Sequence, residues 1–130
     1  MAAREFDLVL WGATGFTGRL VAEHLTAHYG HGGPLRWAIG GRSRDKLETL
    51  AAKLADDSGT PPLVTGDSGD EASMAALAAR TKVVCSTVGP YARHGTPLVA
   101  ACADAGTHYC DLTGEVPWVA MTIARFGERA

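Results

Sequence analysis

No apolar run in this chain approaches the roughly 18–20 residues that a membrane-spanning helix needs, and the stretch Val116–Ala124 stops at Arg125. Charge of one sign is also missing. Twelve basic residues stand against 14 acidic ones, a net charge of −2, which argues against a nucleic-acid partner held by a general basic field. Cysteine is scarce: Cys85, Cys102 and Cys110 are odd in number and form no C-x-x-C pair. They read as small buried hydrophobes in a reducing compartment, not as a disulfide frame or zinc site. Repeats and low-complexity tracts are absent, and 46% hydrophobic residues with 20% charged ones exclude disorder as the main state. The acids Glu5 and Asp7 fall where a signal peptide would have its apolar stretch, so a cytoplasmic location is expected. The chain also has no Tyr-x-x-x-Lys pair, since Tyr29, Tyr91 and Tyr109 are followed four residues later by Gly33, Gly95 and Thr113.

What is present is an alternation of short apolar runs and helical patterns. Asp7–Trp11 reads as a strand buried on both faces, followed by a helix over Phe16–Tyr29 that aligns Gly18, Val21, Leu25 and Tyr29. Leu35–Ile39 predicts a second strand stopped by Gly40-Gly41. Ser43 is the expected N-cap of a helix whose Leu47, Leu50, Ala51 and Leu54 share one face. A third strand near Leu63–Thr65 precedes a helix opened by Asp70 and Glu71. Lys82–Thr87 predicts a fourth strand and is followed by a loop. Thr96-Pro97 then starts a helix that ends at Gly106, Tyr109–Leu112 gives a fifth strand, and Pro117 starts a last helix with Gly127 as a candidate cap. Strands alternating with helices call for right-handed βαβ units. The expected fold is α/β, a doubly wound parallel sheet of the Rossmann type with strand order 3-2-1-4-5.

Such folds commonly have six strands in two halves. Here the sixth is missing or truncated, so residues 1–130 are expected to be one dinucleotide-binding domain, the N-terminal fragment of a longer enzyme. The open sheet edge would favour a homodimer.

Gly12-Ala13-Thr14-Gly15-Phe16-Thr17-Gly18 lies where the first strand meets the first helix. Glycines there permit a tight turn, let backbone N–H groups approach a pyrophosphate and keep the helix close to the sheet. The diphosphate would sit at the positive end of the helix. After the second strand come Gly41, Arg42 and Ser43, with Arg44 beyond. An NAD site would place an acid here for the ribose 2′-hydroxyl, whereas Arg42 suits a 2′-phosphate and points to NADP(H). The plainer alternative is a solvated helix start softened by Asp45. Asp67 and Ser68 end the third strand, where Asp67 either reaches the adenine amino group or serves as a turn acid. Thr87, Val88, Gly89, Pro90 and Tyr91 end the fourth, with Gly89 positioned to let backbone approach the nicotinamide half. His94 reads as a loop polar residue. Asp111 and Glu115 end the fifth strand and are acid–base candidates, although such residues more often cap the next helix. His24 and His28 have a zinc-compatible spacing, but nothing completes the set.

Four stretches together resemble the saccharopine dehydrogenase-like oxidoreductases, and within them the trans-acting enoyl reductase branch. They are Gly-Ala-Thr-Gly-Phe-Thr-Gly at 12–18, Ala-Ile-Gly-Gly-Arg-Ser at 38–43, Val-Gly-Pro-Tyr at 88–91 with Gly95, and Tyr-Cys-Asp-Leu-Thr-Gly-Glu at 109–115. The last two are the more specific. The resemblance implies an NADP-binding domain followed by a substrate domain. Cofactor contacts would lie at Gly12–Gly18, Arg42, Ser43, Asp67 and Thr87–Tyr91. The substrate would be a small molecule or a carrier-bound lipid intermediate of the polyketide type. Two other readings stay open: a non-catalytic NmrA-like dinucleotide sensor, and the first part of an extended short-chain dehydrogenase.

Overall fold

The computed structural model describes residues 3–130. In chain order its elements are β1 (Phe6–Trp11), α1 (Phe16–Tyr29), β2 (Trp37–Gly41), α2 (Arg44–Leu54), β3 (Leu63–Thr65) and α3 (Glu71–Ala79). There follow β4 (Thr81–Ser86), α4 (Tyr91–His94), α5 (Thr96–Ala105), β5 (His108–Asp111) and α6 (Val116–Phe126). The strands form one parallel sheet in the order β3-β2-β1-β4-β5, as the sequence predicts. Leu10 at the centre sits opposite Ile39 on one side and Cys85 on the other.

Alternation along the strands feeds two cores, one on each face of the sheet. Leu10 and Ile39 join Ala22 and Leu25 of α1 and Leu47, Leu50 and Leu54 of α2. Val9, Trp11, Ala38, Val64 and Val84 meet Met74 and Leu77 of α3 and Leu98 and Cys102 of α5. Chain reversal behind a right-handed crossover puts α1 and α2 on one side and α3 and α5 on the other. Each buried Leu or Val contributes about 1.5–3 kcal/mol relative to an exposed one.

Several expected boundaries shift. Gly40-Gly41 does not stop the second strand. Both glycines are buried and pair with Val64 and Thr65, so β2 runs two residues further and starts two later. The first helix matches its predicted span, but Tyr29 is exposed and Ala22 takes its place on the buried face. Ser43 caps α2 as expected, accepting from the Lys46 N–H, and Gly106 closes α5 in the left-handed region at φ 68°. Thr96 is the first residue of α5, with Gly95 as its N-cap, and the Thr96 hydroxyl accepts instead from the Trp118 indole N–H at 3.0 Å. Gly127 does close α6, but in right-handed conformation. Of the three cysteines only Cys102 is buried; Cys85 is half-buried and Cys110 exposed. No helix among the described residues is long and apolar enough to cross a membrane.

Candidate functional site

Parallel strands point their carboxyl ends one way, and here the ends of β1 to β4 open onto a cleft of about 510 Å³. Gly12, Thr14 and Gly15 form one wall. Gly41 and Arg42 come from the end of β2, Asp67 and Ser68 from β3, and Thr87, Val88 and Gly89 from β4. The sequence singled out all of these residues. Trp11, Gly69 and His94 complete the lining. Trp11 and Gly69 escaped sequence reasoning. Trp11 looked like plain core, yet its indole N–H donates to the Ser68 hydroxyl at 3.0 Å and holds the β3 turn against β1.

Close approach dictates two glycines in the first turn. Gly12 has φ +86°, and a Cβ there would lie 2.7 Å from Val88 Cγ2 and 2.8 Å from Thr87 Oγ1. At Gly18 a Cβ would lie 2.0 Å from the Gly12 carbonyl oxygen. The helix start therefore nests against the turn, as a phosphate-binding cradle requires. The Thr87 hydroxyl closes the other side, donating toward the carbonyls of Trp11 and Gly12 at 3.1 and 3.0 Å.

Capping separates this helix start from its neighbours. Ser43 accepts from Lys46 N–H at α2, and Asp70 accepts from Ser73 N–H at α3. The N-cap of α1 is Gly15, which offers no side-chain acceptor, and the first turn carries no acid. Its amide donors and the positive end of its dipole are left for an external anion.

The cations beside the cleft differ in availability. Arg44 is held by Glu48 at 3.1 Å on the α2 surface. Arg42 is exposed and makes no ion pair among the described residues. A smaller hollow of about 290 Å³ adjoins through Thr14 and carries Arg19, Lys46 and Lys53 beside Asp45, extending the positive flank. Sequence reading passed over Arg19, Lys46 and Lys53 because they sit on helix faces that look merely solvated.

Other predicted site residues lie outside the lining or have polar groups already engaged. Phe16 is 75% exposed, Thr17 is exposed, and Gly18 is buried beneath the turn. Ser43 spends its oxygen as the α2 cap, although its hydroxyl proton is free to donate. Asp67 sits in its own turn, accepting from Gly69 N–H at 2.9 Å, and still borders the cleft. Pro90 is exposed and follows a cis peptide bond. Tyr91 is buried; its hydroxyl donates to the Ser86 carbonyl at 3.1 Å and accepts from Leu112 N–H. Burial raises its pKa.

The strand-five carboxylates do not cap the next helix, α6, with their side chains. Glu115 accepts from the backbone N–H groups of Tyr91 and Ala92 at 2.6 and 3.0 Å, so it caps α4 rather than α6. Asp111 accepts from the Tyr109 hydroxyl at 2.6 Å and from Thr113 N–H at 3.0 Å. Burial, with that hydrogen bond, drives the Tyr109 pKa upward. Both acids are committed to shaping the loops. A separate groove of about 580 Å³ between α5, β5 and α6 is bounded largely by side chains such as Val99, Ile123 and Phe126, away from the glycine turn.

A doubly wound sheet with a bare helix start at its topological switch point defines a dinucleotide-binding domain. Residues 8–130 match the family model described as the saccharopine dehydrogenase NADP binding domain, and the chain belongs to that family. A trans-acting enoyl reductase of Mycobacterium bovis is 48% identical over 129 residues, which is 99% of this chain and 30% of the relative. Its counterpart in Mycobacterium leprae is 49% identical over 113 residues, 87% of this chain and 26% of that protein. The chain thus spans under a third of the curated relatives it matches. Among solved structures, the apo saccharopine dehydrogenase (L-Glu forming) of Saccharomyces cerevisiae superposes with a TM-score of 0.67 at 18% identity, over 91% of this chain and 24% of that one. That likeness concerns the fold. The sensor and short-chain dehydrogenase readings are not favoured by these relatives.

Proposed function

We propose that residues 1–130 form the NADP(H)-binding domain of an oxidoreductase that reduces a carrier-bound lipid or polyketide-type intermediate. The observation that carries this reading is the uncapped start of α1, nested by Gly12 and Gly18 and bordered by the unpaired Arg42. The cradle fits the group: a Cβ at either glycine would fill the space the backbone needs. In this reading the turn from Gly12 to Gly18 donates N–H groups to the pyrophosphate. The Arg42 guanidinium and the Ser43 hydroxyl donate to the 2′-phosphate. Asp67 and Ser68 border the adenine, and Thr87, Val88 and Gly89 offer backbone to the nicotinamide half. When bound, the nicotinamide supplies the hydride. Tyr91 and Glu115 keep the β4 loop in place so that the ring is presented in one orientation.

The enoyl reductase names of the relatives support the reaction class, which is proposed for the whole protein to which such a domain belongs. Rate enhancement depends on a substrate held in line with the ring. A cytoplasmic location and a homodimer complete the reading. The decisive experiment titrates the chain with NADPH and with NADH by calorimetry. Tighter binding of NADPH is expected; equal affinity would remove the 2′-phosphate role, and no binding of either would remove the reading.

A further inference from the structure

Cys85 and Cys110 occupy opposite positions on neighbouring strands, paired in register between β4 and β5. Adjacent strands run about 4.8 Å apart, and residues facing each other across them project to the same side. That separation falls inside the Cα window that a disulfide spans. Val84, which points to the other face, is fully buried against the α3 and α5 side. Cys85 lies at the margin of the α1–α2 core, where cover runs out, and Cys110 beyond it is exposed. Among the described residues no cluster of three His, Cys or acidic groups could hold a metal ion. Two opposed thiols at an uncovered margin are suited to oxidation rather than to metal binding.

We propose that Cys85 and Cys110 are a redox-active thiol pair, with Cys110 as the attacking thiol, Cys85 as the resolving thiol and a low-molecular-weight disulfide as oxidant. The Cys110 thiolate attacks one sulfur of the small disulfide. That S–S bond breaks, one thiolate leaves and takes up a proton, and a mixed disulfide remains on Cys110. Cys85 then gives its proton to solvent and attacks the Cys110 sulfur, releasing the second small thiol. Two protein thiols are oxidised, one small disulfide is reduced to two thiols, and two protons pass to the leaving groups. The new bond lies one residue before Ser86 and Asp111, and so ties together the strand ends that carry the Tyr91 contacts. It needs no cofactor and stands apart from the nucleotide reading.

Burial and the neighbouring Cys110 push the Cys85 thiol up to about 11. The thiolate is the nucleophile, so ring closure should quicken about tenfold for each pH unit below that value. The test treats the chain with oxidised glutathione and maps thiols by peptide mass spectrometry. In the wild type, two of the three thiols should disappear without a retained adduct, with Cys85 and Cys110 recovered as one linked peptide. Cys85→Ser should keep glutathione on Cys110, and Cys110→Ser should react at least about tenfold more slowly. Cys85→Ala gives the same readout should serine disturb the core margin. A linkage through Cys102 or between copies would overturn the proposal. So would an adduct on Cys110 that persists equally in the wild type and in Cys85→Ser at alkaline pH.

Discussion

The turn after β1 leaves its helix start bare, whereas the turn after β4 is held by a carboxylate from 24 residues further along the chain. Both flank the same cleft. At the first, the glycines remove side chains so that backbone can nest against backbone; Gly12, Ala13 and Gly15 donate to the Gly40 and Gly12 carbonyls, while the N–H groups of Phe16, Thr17 and Gly18 in the first helical turn have no internal acceptor. At the second, Glu115 caps α4 while the Tyr91 hydroxyl bonds Ser86 and its ring packs tilted against Trp118, with centroids 5.5 Å apart. Trp118 in turn donates to Thr96. The difference separates a surface kept open for a ligand from a surface whose polar groups are spent on holding a shape. A buried or half-buried polar group needs a partner, and the two turns find theirs in different places.

Breaking the open turn should have the largest effect. Gly18→Ala puts a methyl into the Gly12 carbonyl and is expected to cost about 3 kcal/mol of stability, the upper end for overpacking. Urea unfolding reads this directly, and NADPH binding should be lost at temperatures where the variant remains folded. Wild-type binding by Gly18→Ala would mean the cradle is not where the pyrophosphate rests.

Arg42→Ala sharpens the contrast within the cleft. It should weaken NADPH by about 1.5–3 kcal/mol, the worth of hydrogen bonds to a charged group, and leave NADH and the unfolding midpoint unchanged. Arg44→Ala is the control. Its guanidinium is engaged with Glu48 in a solvated i,i+4 pair, so both cofactors should be affected by only a few tenths of a kcal/mol. Calorimetric titration of the two variants decides between a specific contact and a diffuse positive field.

Glu115→Ala attacks the locked turn. Two N–H groups lose a charged acceptor, with an expected cost of about 1.5 kcal/mol in urea unfolding. Glu115→Gln should retain part of it. Loss of NADPH affinity without loss of stability would instead place Glu115 against the ligand.

The smallest expected effect lies at the opposite ends of the strands, away from both turns. Asp7 is held below the ordinary carboxylate range by the Arg36 side chain, then by the Arg36 N–H and Lys82. A depressed folded pKa stabilises above the unfolded value and is lost as pH falls through the folded one. The contribution is therefore present at neutral pH and fades below about pH 4. Asp7→Asn should lower the urea midpoint slightly at pH 7 and converge with the wild type in acid. A constant difference across that range would exclude the ionic origin.

Much of this architecture was legible in the residues because it is local. The helix over Phe16–Tyr29, the Ser43 cap, the helix opened by Asp70 and Glu71, the Gly106 stop and the parallel order follow from periodicity, short-range hydrogen bonding, helix-end charge and the hand of βαβ crossovers. The glycine turn and Arg42 are likewise short-range signals, legible from their place after predicted strands. What the sequence could not supply are partnerships across long chain separations. Glu115 reads as a helix-capping or catalytic acid until folding brings the start of α4 to it. Arg4 carries no local signal, yet its guanidinium donates to the carbonyls of Ala78, Thr81 and Ala105 and to the Thr107 hydroxyl. Cys85 and Cys110 read as two unrelated hydrophobes until β4 and β5 align them. Periodicity and caps are written into a few neighbouring residues, and so the sequence alone determined the five strands, the five longer helices and their order, whereas the short α4 reads as a loop. Which polar group meets which depends on strand register and crossover path, and only the tertiary structure decided that.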